Sequence, residues 1–314
     1  MSAGERTAAE RERARAERSQ RRTPASGGRP RRGPQIAGAA LALALLAIAA
    51  GLGIARLEHR AKPVKTVAAP IVVKVLVPEG ETRLQMAARA HTAGLTGSYL
   101  AAAKRSPALD PARYGAPAGT PNLEGFLFPA TYELYSGAPA AQLVREQLAA
   151  FSERFGRHQI ERARALHLTP YELLIVASIL EREAQLSSDR PKVAAVVYNR
   201  LRLHMPLGVD ATIRYVLHDY SSPLTAAQLA LVSPYNTRIH LGLPPTPISN
   251  PGMAAIEAAA HPAHVPYLYY VDAPDGCGDL VFSKSFAQFE RDAAAYREAL
   301  RANNGNVPAC HAKR

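Results

Sequence analysis

Thr169-Pro170-Tyr171-Glu172-Leu173-Leu174-Ile175-Val176-Ala177-Ser178-Ile179-Leu180-Glu181-Arg182-Glu183 reads as one helix, apolar on nearly every side until its last turn. Thr169 suits the N-cap, Pro170 the first helical position, where its missing N–H costs nothing, and Glu172 lies in the first turn. Residues 173–180 leave no polar face beyond Ser178, and a helix apolar all round belongs inside a core. A carboxyl group at the rim of such a helix is partly desolvated. That disfavours its charged form and suits it to general-acid work near neutral pH. Glu181 and Glu183 both qualify; solvated pairing with Arg182 or Arg190 is the plain alternative, and helical spacing does not choose.

Downstream, Ser188 or Asp189 is expected to cap another helix, with Pro191 in its first turn and Val193, Ala194, Val197 and Leu201 on one face. Short helices are expected over residues 211–217, 225–231 and 252–260. Strands over 267–272 and 280–282 flank an Asp275-Gly276 turn, and a last helix covers 286–302. Upstream, residues 139–165 keep helical spacing and predict one long amphipathic helix. Residues 71–77 read as a strand ended by the turn Pro78-Glu79-Gly80. Thr82 then caps a helix ending near Gly94, and a second helix covers 96–104. That strand-helix-helix unit reads as self-contained, and residues 106–122 as a loop. The expected fold class is α+β, mainly helical after the first unit, with a small β-hairpin.

Residues 36–55 carry no charge over the length a helix needs to cross a bilayer core, which predicts a transmembrane helix over 35–56. Residues 1–34 hold ten Arg against four Glu, half of the net charge of +12. A basic flank stays cytoplasmic. The reading is a disordered basic tail (1–34), a linker (57–70) and an extracytoplasmic remainder, in a single-pass plasma-membrane protein. The remaining basic excess is diffuse and lacks interleaved aromatics, so nucleic acid is set aside as a partner. Cys277 and Cys310 are the only cysteines, and their pairing stays open. No CxxC or HExxH motif occurs, so neither metal nor cofactor is expected; His261 and His264 read as packing histidines.

Polar groups concentrate downstream of the buried helix: Asn199, Asp210, Thr212, Tyr235, Asn236 and Thr237, followed by a Pro- and Gly-rich run over 242–252. A rigid irregular loop of this kind often carries binding groups. Aromatic rings beside amides and hydroxyls suit sugars, although packing uses the same residues.

Taken together, Val77-Pro78-Glu79-Gly80, Leu123-Glu124-Gly125-Phe126-Leu127-Phe128-Pro129 with Thr131-Tyr132, Ala177 through Glu183, Asn199-Arg200-Leu201 and Asp210-Ala211-Thr212 form an ordered set. It continues with Ser233-Pro234-Tyr235-Asn236-Thr237, Gly242-Leu243-Pro244-Pro245, Pro247-Ile248 through Pro251-Gly252, and Ala259-Ala260-His261-Pro262. The set resembles the YceG-like endolytic murein transglycosylases. The resemblance implies a LysM-like module over 71–122, a catalytic domain over 123–305 that cuts peptidoglycan glycan chains internally, and a C-terminal tail over 306–314. It carries the catalytic acid/base to Glu181. Tyr235, Asn236, Glu124, Asp210, Thr237 and Ser178 become candidates for substrate binding and cleft organisation. Partners implied are peptidoglycan and the cytoplasmic membrane, with peptidoglycan synthases as further candidates. Rival readings are a non-catalytic peptidoglycan-binding scaffold and a muramidase that admits water.

Overall fold

Residue identity explains the first strand and its partner directly. In the computed structural model, which describes residues 71–310, β1 (Val72–Leu76) turns Val73 and Val75 inward and Val72, Lys74 and Leu76 outward, the two-residue period of a half-buried strand. Its partner is β2 (Thr131–Tyr135), antiparallel, with Val75 opposite Tyr132 and Lys74 opposite Glu133. The expected boundary at residue 122 therefore falls between two paired strands, and the unit read as self-contained is incomplete without residues 131–135. β2 went unread because it is only five residues long, begins just after Pro129, and is defined by its long-range pairing with β1.

Between the two strands lie α1 (Arg83–Thr92), α2 (Tyr99–Ala102) and a 3-10 turn, Pro111–Tyr114. Thr82 and Gln85 form a capping box at the start of α1, whose Met86 and Ala90 are buried. α2 is shorter than expected, because Gly97 takes a positive φ and Ser98 caps the helix only after it.

The long helix expected over 139–165 divides into α3 (Ala140–Arg154) and α4 (Arg157–Ala165). Phe155 leaves helical geometry to enter the core, and the N–H of Gly156 is taken by the side chain of Gln159 instead of by the preceding turn. Glycine gives little resistance to such a break.

α5 (Pro170–Glu183) is the central helix. Thr169 caps it through a capping box with Glu172, and Tyr171 and residues 173–180 are buried. It packs against α4, α6 (Arg190–Arg202) and α9 (Met253–Ala260), with α7 (Asp210–Leu217) and the short α8 (Ala226–Leu229) beyond. Asp189 precedes α6 without capping it; its carboxylate takes Lys192 and the N–H of Leu280 instead. β3 (Tyr269–Asp272) and β4 (Leu280–Ser283) form the expected hairpin, and α10 (Phe286–Ala302) closes the chain. A disulfide joins Cys277 to Cys310, tying the hairpin turn to the segment after α10.

The α+β class matches expectation. Among the described residues no single helix is long and apolar enough to cross a membrane. The tail, the expected membrane helix and the linker lie outside the described residues.

Candidate active site

The last turn of α5 sends three side chains in three directions. Glu181 accepts a hydrogen bond from Nη2 of Arg190 at 2.9 Å and one from the backbone N–H of Gly252 at 3.0 Å. The pair is secluded, with Glu181 5% and Arg190 12% exposed in their side chains. Arg182 stacks on the ring of Tyr220 and donates to the carbonyl of Gly80. Glu183 accepts from the hydroxyl of Tyr270 at 2.7 Å.

Burial raises the pKa of Glu181, and the nearby charge of Glu79 adds to the rise; the Gly252 amide, Arg190 and Arg182 oppose it. Burial also raises Glu183, against the pull of the Tyr270 hydroxyl. Burial thus shifts both carboxyls at this helix end toward holding a proton, the direction a general acid needs. Glu183, Asp210, Arg182, Arg200 and Arg238 line an adjoining cavity of about 540 Å³.

The loop facing α5 is held by its own polar groups. Ser178 is fully buried, donates to the carbonyl of Ile175 and accepts from the N–H of Ile248, while its carbonyl takes the Ser249 hydroxyl. Asn236 donates to the carbonyls of Leu229 and Leu231 and accepts from the N–H of Arg238. The Thr237 hydroxyl accepts from the N–H of Val209. All three lie under the surface, with their polar atoms bonded to the backbone of the loops they hold. Tyr235 is half-buried, shares a 2.8 Å hydrogen bond with Thr246, and packs on Tyr215. Asp210 is half-buried and pairs with Arg238.

Glu124 is almost wholly enclosed. It accepts from the N–H of Arg83, the Tyr215 hydroxyl and the side-chain amide of Asn250, yet burial pushes it up to about 7. It stands where the first unit meets the helical part. Asn199 and Arg200 hold carbonyls of residues 265, 267 and 268 ahead of β3. His261 stacks on His158 beside Glu257, a packing arrangement at the outer end of α9, and His264 is exposed.

Sequence reasoning named Arg190 as a partner, but as a solvated one, and the structure makes the pair secluded; it missed the amide of Gly252 and the placement of Glu79. The glycine in Pro251-Gly252 is visible as a motif, but its contact with Glu181 depends on how a loop seventy-one positions away returns to α5.

Fold and site together define a mixed α+β domain whose central helix ends in two acid groups shifted upward by burial, one of them held by a loop amide. A family model described as the YceG-like family matches residues 54–295, and the chain belongs to that family. It is 33% identical over 174 residues to an endolytic murein transglycosylase of Bacillus subtilis, covering 55% of this chain and 48% of that protein. It is 34% identical over 160 residues to one of Streptococcus pneumoniae, covering 49% and 29%. The chain thus spans about half the length of the first of these relatives and less of the second. The crystal structure of a YceG-like protein from Listeria monocytogenes matches with a TM-score of 0.63 and 32% identity, covering 72% of this chain and 77% of that one.

Proposed function

We propose that this protein is a membrane-anchored lytic transglycosylase that cuts within peptidoglycan glycan chains, with Glu181 as acid and then base. The observation that carries the reading is the seclusion of Glu181 between Arg190 and the Gly252 amide, with burial raising its pKa. A carboxyl whose hold on its proton is strengthened by burial gives that proton to the oxygen bridging N-acetylmuramic acid and N-acetylglucosamine. The muramyl 6-hydroxyl then closes onto C1 and returns a proton to Glu181, leaving a 1,6-anhydro end. An internal nucleophile needs no water, so proximity supplies part of the rate.

Tyr235 is the candidate for stacking on sugar, and Asp210 borders the cleft through its pair with Arg238. Glu124, Ser178, Asn236 and Thr237 organise the cleft from beneath. The first unit, extended to residue 135, takes the LysM-like role. Residues 36–55 anchor the chain with its N-terminus inside. The Cys277–Cys310 disulfide supports an extracytoplasmic domain, since such bonds persist in oxidising compartments.

The test is digestion of purified peptidoglycan by wild type, Glu181→Gln and Glu183→Gln, with products read by mass spectrometry. Anhydromuramyl ends lost only in Glu181→Gln support the assignment. Loss only in Glu183→Gln moves the role two residues along. Reducing ends instead mean a muramidase, and no cutting by folded wild type favours a scaffold.

A further inference from the structure

The turn Pro78-Glu79-Gly80 lies against the acid group although it belongs to the opposite end of the sequence. The N–H of Gly80 donates to the carbonyl of Asn250 at 2.9 Å, and that of Val77 to the carbonyl of Ala130 at 2.9 Å, so the turn is fixed at both sides. A Cβ on Gly80 would stand 3.3 Å from Cγ of Glu181.

Glu79 goes further. A Cβ on Gly252 would fall 1.7 Å from Oε1 of Glu79 and 2.0 Å from its Cδ. Gly252 has φ −78°, which any residue adopts, so it is the space taken by Glu79 that asks for glycine here. The same Gly252 gives its N–H to Oε2 of Glu181. One glycine therefore separates two carboxylates, its amide on one and its Cα against the other. Glu79 is exposed and has no hydrogen-bond or ion-pair partner among the described residues. Placing a second negative charge beside a buried acid opposes folding, and no bond within the fold compensates for it.

We propose that Glu79 is a second working carboxylate beside Glu181, an open side chain facing the scissile bond. The proposal rests on the glycan-cleaving reading. As the C1–oxygen bond breaks and the Glu181 proton passes to the leaving oxygen, positive charge grows on C1 and the ring oxygen, as in other glycosidic cleavages. Glu79 stabilises that charge and takes no part in the proton transfer. The 6-oxygen then bonds to C1, and its proton returns to Glu181. The charged groups around Glu181 are Arg190 from α6, Arg182 from its own helix and Glu79 from the turn. Removing Glu79 leaves the two arginines unopposed.

The experiment compares full-length wild type, Glu79→Gln and Glu79→Asp for peptidoglycan cleavage, and follows the Glu181 carboxyl by 13C NMR against pH. The expected result is at least a tenfold slower rate in Glu79→Gln with melting no lower than wild type, partial recovery of rate in Glu79→Asp, and Glu181 titrating at lower pH in Glu79→Gln. A Glu79→Gln enzyme with wild-type rate, or an unmoved Glu181 titration, overturns the proposal. The titration reads the pair without turnover, so a wild type that leaves peptidoglycan intact sinks the cleavage reading while the carboxylate pairing is still judged on its own.

Discussion

Asn250 reaches Glu124 across 126 residues of chain, its side-chain amide donating to Oε1 at 2.6 Å. The same amide group donates to the carbonyl of Glu81, and its oxygen accepts from the N–H groups of Gly125 and Leu127. One buried side chain thus joins the turn before α1, the segment ahead of β2 and the loop over α5. Asn250→Ala leaves the N–H groups of Gly125 and Leu127 without their partner and takes from Glu124 one of its three hydrogen bonds. A loss on the order of 3 kcal/mol is expected in urea unfolding, since each buried group left unpaired costs about 1–3 kcal/mol.

Glu124 makes stability depend on pH with a definite sign. Its folded pKa is about 7 against an ordinary 4.5, so the folded state holds the proton more tightly. Its contribution is complete below pH 4.5 and falls as pH rises towards 7, by about 3 kcal/mol in total. Above 7 this group adds no further slope. Glu124→Gln should flatten that part of the profile in denaturant melts at successive pH values; an unchanged slope assigns the dependence elsewhere.

Arg190 lowers the pKa of Glu181 and supplies one of its two hydrogen bonds. Arg190→Ala should therefore move the high-pH limb of cleavage to higher pH, because Glu181 keeps its proton longer. It should also cost about 1.5–3 kcal/mol, the range for a hydrogen bond to a charged group. A limb that moves downward contradicts the assignment of that limb to Glu181.

The disulfide closes a loop between positions 33 apart. Replacing both cysteines by serine should lower stability by about 3 kcal/mol through the freedom returned to the unfolded chain. The check is the urea midpoint of the variant beside that of wild type with and without reductant, and only wild type should respond to reductant.

Gly252→Ala offers a separate approach to the acid site. The new methyl group must displace the Glu79 carboxylate, whose flexible end can swing away, while the backbone N–H to Glu181 survives. The expected outcome is a slower enzyme with near-native melting, following Glu79→Gln. A fully active Gly252→Ala means that the position of Glu79 is immaterial.

The central helix was legible because cap, proline and apolar run agree over one short stretch, and α10 was legible over its whole length. β2 was not. Its partner lies on the far side of two helices, and nothing local distinguishes five residues after Pro129 from a loop. Phe155 and Gly156 fit a helical spacing, and only the pull of the core on Phe155 divides that helix. Among the site residues, Glu181 was readable from the desolvation its position implies. Ser178, Asn236 and Thr237 were not, since a hydroxyl or amide that serves a backbone N–H looks, in sequence, like one that waits for a ligand.

The pairing of β1 with β2, and the bonds from Asn250 to both sides, leave no hinge between the first unit and the central helix. If the first unit grips the glycan as proposed, the polymer would be presented to the end of α5 at one constant offset. The fold would then act as a gauge with its jaw and its edge machined from a single piece, the spacing between grip and cut set by architecture and not by the reach of a tether.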